Sequence, residues 1–115
     1  MEIYKALSIF SALSQPTRLE IVRLLIKSGD NGLLAGEISE TLNIRPNTAS
    51  TNLLILVNSH LLRKERQGRT IRYFVDFEAM KNLLTFLMED CCGGNPELCQ
   101  PIIDKIACTP DNAQQ

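Results

Sequence analysis

AGEISETLNIRPNTASTNLLILVNSHLLRKERQGRTIRYFV, residues 35–75, decides the fold. A short amphipathic stretch, 35–41, predicts a helix that ends in a turn at Leu42-Asn43-Ile44. A second helix starts near Pro46, a residue suited to the first helical position because its missing N–H would be unpaired there in any case. In that helix Ala49, Leu53 and Leu56 recur at helical spacing and are expected to face the core. Its other face carries Asn47, Thr48, Thr51 and Asn52, with Ser50 at the margin. Small hydrogen-bonding side chains on a helix after a tight turn suit base edges and phosphates of a DNA major groove.

Two runs rich in basic, β-branched and aromatic residues follow, 61–66 and 70–75, separated by Gln67-Gly68-Arg69. They predict a β-hairpin with glycine at its tip. Helix, turn, helix, basic hairpin is the order of a winged helix-turn-helix. His60, the only histidine, is expected in the turn before the hairpin, without a chemical role.

Length and composition bound the rest. At 115 residues the chain suffices for one small core, and 44% hydrophobic with 22% charged residues is ordinary for a globular protein. No 18-residue apolar run exists, so no membrane partner is expected. The N-terminal MEIYKALSIF has no signal-peptide pattern, so a cytoplasmic location is expected. Four cysteines then imply reduced thiols rather than a disulfide scaffold. The net charge of −1 hides an uneven distribution. Six basic residues (Arg45, Arg63, Lys64, Arg66, Arg69 and Arg72) against Glu65 leave residues 45–72 at +5, and the remainder at −6. Phosphate binding needs a local basic surface, not a basic protein. Arg45, Arg66, Gln67, Arg69 and Thr70 are therefore expected at DNA, supported by Arg63 and Arg72.

The flanking segments predict helices. Residues 2–11 carry an apolar stripe of Ile3, Ala6, Leu7 and Phe10, continued by Leu13. Residues 16–27 form a second helix, with Leu19, Val22, Leu25 and Ile26 inward. Asp76 is a plausible N-cap for a further helix, whose stripe runs Phe77, Met80, Leu83, Leu84, Leu87, Met88, Cys91. Ile3, Leu7 and Phe10 with Met80, Leu83, Leu84, Leu87 and Met88 are the expected homodimer interface, since helix-turn-helix readers commonly bind paired half-sites. The expected architecture is mainly α, ordered α-α-α-α-β-β-α. Residues 1–92 form the DNA-binding and dimerisation domain, and 93–115 a tail carrying part of a thiol site.

That site is read from Glu89-Asp90-Cys91-Cys92-Gly93-Gly94-Asn95-Pro96-Glu97-Leu98-Cys99. Gly93-Gly94 is expected to end the helix. Adjacent cysteines inside a regular helix diverge by about 100°, whereas at a released end they converge and a loop returns Cys99 towards them. Soft sulfur donors select soft ions. Structural zinc wants four ligands, which Cys108 could complete, whereas trivalent arsenic or antimony is satisfied by three. A thiol-redox switch, with Cys91 or Cys92 joined to Cys99, is the other reading of the same residues. A short helix is expected at 101–107, with Ile102, Ile103 and Ile106 packed on the body. No phosphate-cradling loop or nucleophile–base pair suggests an enzyme or an organic cofactor.

LSQPTRLEIVRLL resembles the second-helix region of the ArsR/SmtB family of bacterial metal-responsive repressors, and DCCGGNPELC resembles the C-terminal thiol segment of one arsenic-responsive branch. The resemblance covers residues 1–99. It implies a repressor of double-stranded operator DNA, released when As(III), Sb(III) or methylarsenite binds, which derepresses arsenic-resistance genes. Cys91, Cys92 and Cys99 are the implied ligands, and a methylated species would need only two. Other branches place ligands on the helix beginning at Ala35, which here has no cysteine, or use histidines on the last helix, which here has none. The recognition helix departs from the family pattern at Arg45-Pro46 and Asn52, so the operator sequence is not implied.

Overall fold

The computed structural model describes residues 1–88 and 96–106. Its elements are α1 (Ile3–Leu13), α2 (Pro16–Ser28), a 3-10 turn (Gly29–Asn31), β1 (Leu33–Leu34), α3 (Ala35–Leu42), α4 (Pro46–Asn58), β2 (Leu62–Gln67), β3 (Thr70–Val75), α5 (Phe77–Met88) and α6 (Pro96–Ile106). They fall into two compact units, Met1–Leu83 and Leu84–Gln115. Among the described residues no helix is long and apolar enough to cross a membrane.

In the first unit, α2, α3 and α4 surround a core of Ile21, Leu25, Ile38, Leu53 and Leu56, all fully buried. Local chemistry sets the helix limits. Gln15 Oε1 accepts the Arg18 N–H at 2.9 Å and Pro16 opens α2. Asn43 ends α3 in the left-handed conformation, φ 53°, which asparagine tolerates. Asp76 Oδ1 accepts the Ala79 N–H at 3.0 Å and caps α5, as expected from the sequence.

β2 and β3 form an antiparallel hairpin in register from Leu62↔Val75 to Gln67↔Thr70. Its two-residue loop begins with Gly68 at φ +66°, the positive value that tight hairpins need. The sheet has a third strand that the sequence reading did not include. β1 pairs with β3, Leu33 opposite Tyr73 and Leu34 opposite Arg72. Gly32 makes that approach possible. It has φ +61°, and a Cβ there would lie 2.6 Å from the Phe74 ring and from the Tyr73 carbonyl oxygen.

α1 leaves outside the residues expected at a dimer, and α2 is phased differently from expectation. α1 turns Ala6, Ile9 and Ala12 inward and leaves Ile3, Leu7 and Phe10 exposed. The two alanines let its backbone pack closely on α2 and α4, and the bulkier stripe is left outside. α2 buries Ile21, Val22 and Leu25, while Leu19 and Ile26 are 45% and 41% exposed. Apolar residues run almost all round this helix, so tertiary packing chooses the phase.

In the second unit, α6 begins at Pro96 and runs through Pro101, five residues upstream of the expected start. Cys99 therefore sits on a helix and not in a returning loop. Ile102, Ile103 and Ile106, expected to pack inward, are each at least 50% exposed, although they follow the buried Cys99 at steps of three, four and seven along the same helix face.

Candidate nucleic-acid interface and thiol segment

The helix pair α3–α4 and the β2–β3 hairpin place the predicted DNA-binding residues on two adjoining surfaces. Burial of Ala49, Leu53 and Leu56 fixes the rotation of α4. Asn47, Thr48, Ser50 and Thr51 then point to solvent, and Arg45 is exposed at the N-cap. This surface carries hydroxyls and an amide at the start of a helix, where backbone N–H groups also favour anions.

Asn52 is the exception. It is 8% exposed, against the expectation that it meets a base edge. Its Oδ1 accepts from Arg18 Nη1 at 3.1 Å, and its Nδ2 donates to the Thr48 carbonyl at 2.9 Å. Arg18 Nε donates to the Ala12 carbonyl at 2.7 Å, so one guanidinium joins the end of α1 to the middle of α4. Both its hydrogen-bond partners on this path are neutral, which leaves α1, α2 and α4 connected through a half-buried cation.

The wing is basic, but its arginines are not equivalent. Arg69 and Lys64 are exposed and make no hydrogen bond or ion pair among the described residues. Arg66 is exposed and donates only to the Gly68 carbonyl, at 3.3 Å. Arg63 lies 4.2 Å from the centre of the Phe74 ring and 3.0 Å from Glu65, so it supports the hairpin from the side. Arg72, expected to support DNA binding, turns back on the fold. It donates to the carbonyls of Asn31 and Gly32 at 3.2 and 3.3 Å and to Gln67 Oε1 at 3.1 Å, with Glu37 at 3.8 Å. Those bonds lock β1 to the wing, and they occupy Gln67 as well. Lys64, absent from the predicted set, shares a face of β2 with Arg66. The two-residue period of a strand was the signal for it.

Arg69 and Thr70 also line one wall of a cleft of about 530 Å³ whose other wall carries Glu37 and Glu40 on α3. The carboxylates make that cleft unsuited to phosphate. His60, in the turn between α4 and β2, is exposed with φ 69°.

The predicted dimer surface divides. Ile3, Leu7 and Phe10 on α1 are exposed, as are Leu84 and Leu87 on α5. Met80 and Met88 are half-buried. Leu83 is 3% exposed, because it packs inside its own chain and is not available to a partner.

Of the three predicted thiol ligands, Cys91 and Cys92 lie outside the described residues, as does Cys108. Cys99 is 4% exposed and is disulfide-bonded. Among the described residues no group of three or more His, Cys, Asp or Glu side chains is placed to hold a metal ion.

A helix–turn–helix pair with an exposed polar recognition surface and a basic wing defines a winged helix-turn-helix DNA-binding protein. A family described as "Helix-turn-helix domain" matches residues 13–65. The transcriptional repressor SdpR of Bacillus subtilis is 31% identical over 91 residues, which cover 79% of this chain and 98% of SdpR. An ArsR-like transcriptional regulator from Rhodococcus sp. RHA1 superposes with a TM-score of 0.69 at 25% identity, covering 91% of this chain and 94% of that one. AntR, an antimony-specific transcriptional repressor, gives 0.60 at 28% identity over 75% of this chain and 77% of its own. The chain belongs to the ArsR family of helix-turn-helix transcriptional regulators. Its relatives are regulators and not enzymes.

Proposed function

We propose that the chain is a cytoplasmic repressor that holds operator DNA as a homodimer and releases it when trivalent arsenic or antimony binds Cys91, Cys92 and Cys99. The observation that carries the DNA-binding part is the exposed Asn47–Thr51 surface of α4 beside the free cations of the wing. α4 enters the major groove, with Asn47, Thr48 and Thr51 at base edges. Arg45, Lys64, Arg66 and Arg69 meet phosphates or the minor groove. The uncovered apolar faces of α1 and α5 support the dimer.

For the inducer, support comes from the donor chemistry and from likeness to a repressor described as antimony-specific. Three thiolates are a soft donor set that suits As(III) or Sb(III). The disulfide at Cys99 makes reduction a precondition, since a disulfide sulfur is no thiolate donor. Residues 93–95 join the Cys91-Cys92 pair to α6, so drawing Cys99 towards that pair changes the segment following α5. Coupling of about 1–3 kcal/mol, roughly 5- to 150-fold in DNA affinity, is usual for such linkage. Methylarsenite, which takes two thiols, is a variant of the same chemistry.

The disulfide also favours a second reading, a thiol-redox repressor. Two thiols give two electrons and two protons to a peroxide, which is reduced to water, and DNA affinity changes with the cross-link. Fluorescence anisotropy of a duplex selected from a random library separates the readings. Protein kept reduced by a phosphine releases DNA on adding arsenite if the first holds. Release by peroxide, with no response to arsenite in the reduced state, supports the second. Absence of salt-dependent binding to any duplex refutes both.

A further inference from the structure

The outer face of α4 is not wholly polar. Leu54 is 56% exposed in the middle of the recognition helix. Asn47, Thr51, Leu54 and Asn58 are separated by steps of four, three and four, which places them along one line on the helix surface. All four are exposed, and the line lies opposite the buried Ala49, Leu53 and Leu56. Leu54 thus continues the row that begins with the polar groups at the N-terminus of α4.

The major groove offers one apolar group, the C5-methyl of thymine. A row with amide and hydroxyl groups at Asn47 and Thr51 and an isobutyl group one turn further on is complementary to hydrogen-bonding base edges followed by a methyl. We propose that Leu54 is a specificity-determining residue that packs on a thymine methyl within each half-site. The proposal rests on the DNA-binding reading above and adds to it a base identity that hydrogen bonding alone does not select. Opposite cytosine, which lacks the methyl, the apolar surface of Leu54 would be left against water and polar edges.

The test uses the full chain and a duplex selected by it from a random library. Each thymine is replaced in turn by deoxyuridine, which removes the methyl and leaves every hydrogen-bonding group in place. The wild type is expected to lose roughly 3- to 5-fold in affinity at one position per half-site, the value of one buried methyl. Leu54→Ala is expected to bind the unmodified duplex more weakly and to show no loss at that position. Because Leu54 is exposed, the thermal midpoint of the variant should match that of the wild type, which separates the effect from misfolding. An identical deoxyuridine profile for both proteins, or no sensitive thymine in the wild type, overturns the proposal while leaving DNA binding intact. Failure of the wild type to bind any duplex in a salt-dependent way overturns it through the underlying reading.

Discussion

Arg18 and Asn52, 34 residues apart, are joined by a hydrogen bond of 3.1 Å from Nη1 to Oδ1, and the same guanidinium holds the Ala12 carbonyl at 2.7 Å. Asn52 in turn donates to the Thr48 carbonyl one turn earlier in α4. The position of the recognition helix therefore depends on a helix, α1, whose outer face is apolar and exposed. Arg18→Ala should lower stability by about 1–3 kcal/mol, since two partly buried acceptors lose their donor. It should also weaken DNA binding, because Asn52 on α4 loses its partner. Urea unfolding of Arg18→Ala, Asn52→Ala and the double variant checks this, with an expected coupling of about 0.5–3 kcal/mol. Strict additivity would show that the contact is unimportant.

The wing arginines divide into two kinds with opposite signatures. Arg69→Ala should leave stability unchanged, weaken binding to all sequences, and reduce the slope of log affinity against log salt by about one unit. Arg72→Ala should do the reverse. It removes donors from Asn31, Gly32 and Gln67 and should cost about 1–2 kcal/mol of stability with little change in the salt slope. Titrations at several salt concentrations, paired with denaturant curves, distinguish them.

Gly32→Ala should be among the most damaging single changes in the chain. A methyl group meets both the Phe74 ring and the Tyr73 carbonyl, and φ +61° is unfavourable for alanine. The backbone conformation alone costs about 1–3 kcal/mol, and the steric conflict with β3 adds to it. The denaturant midpoint of Gly32→Ala compared with Gly29→Ala measures the steric part. Gly29 has a similar positive φ, 54°, but open space around it.

Much of this was legible in the sequence because it is local. The α3 and α4 limits, the hairpin and the inward triad Ala49, Leu53 and Leu56 follow from spacing, proline and glycine. What was not legible depends on distant partners. A two-residue strand has no period, so β1 is visible only beside Tyr73 and Arg72. Asn52 reads as a groove residue until Arg18 is placed next to it, and Arg72 reads as a DNA cation until the carbonyls of Asn31 and Gly32 are found beneath it. The phase of α2 was misread because Ile21 competes with Leu19 and Ile26 for the inward face, and tertiary packing decides between them. Pro101 argued for a helix beginning there, yet α6 accommodates it at its sixth position. Lys64 was legible from strand alternation. The thiol triad was legible only as a pattern of residues, and of its members Cys99 alone lies within the described residues.

The most direct measurement is a thiol titration of fully reduced protein before and after trivalent arsenic, repeated on Cys108→Ser. The account predicts that three of the four thiols become unreactive per chain, those of Cys91, Cys92 and Cys99, and that the loss is the same in the variant. Four reactive thiols after arsenic addition, or a loss that depends on Cys108, would contradict it.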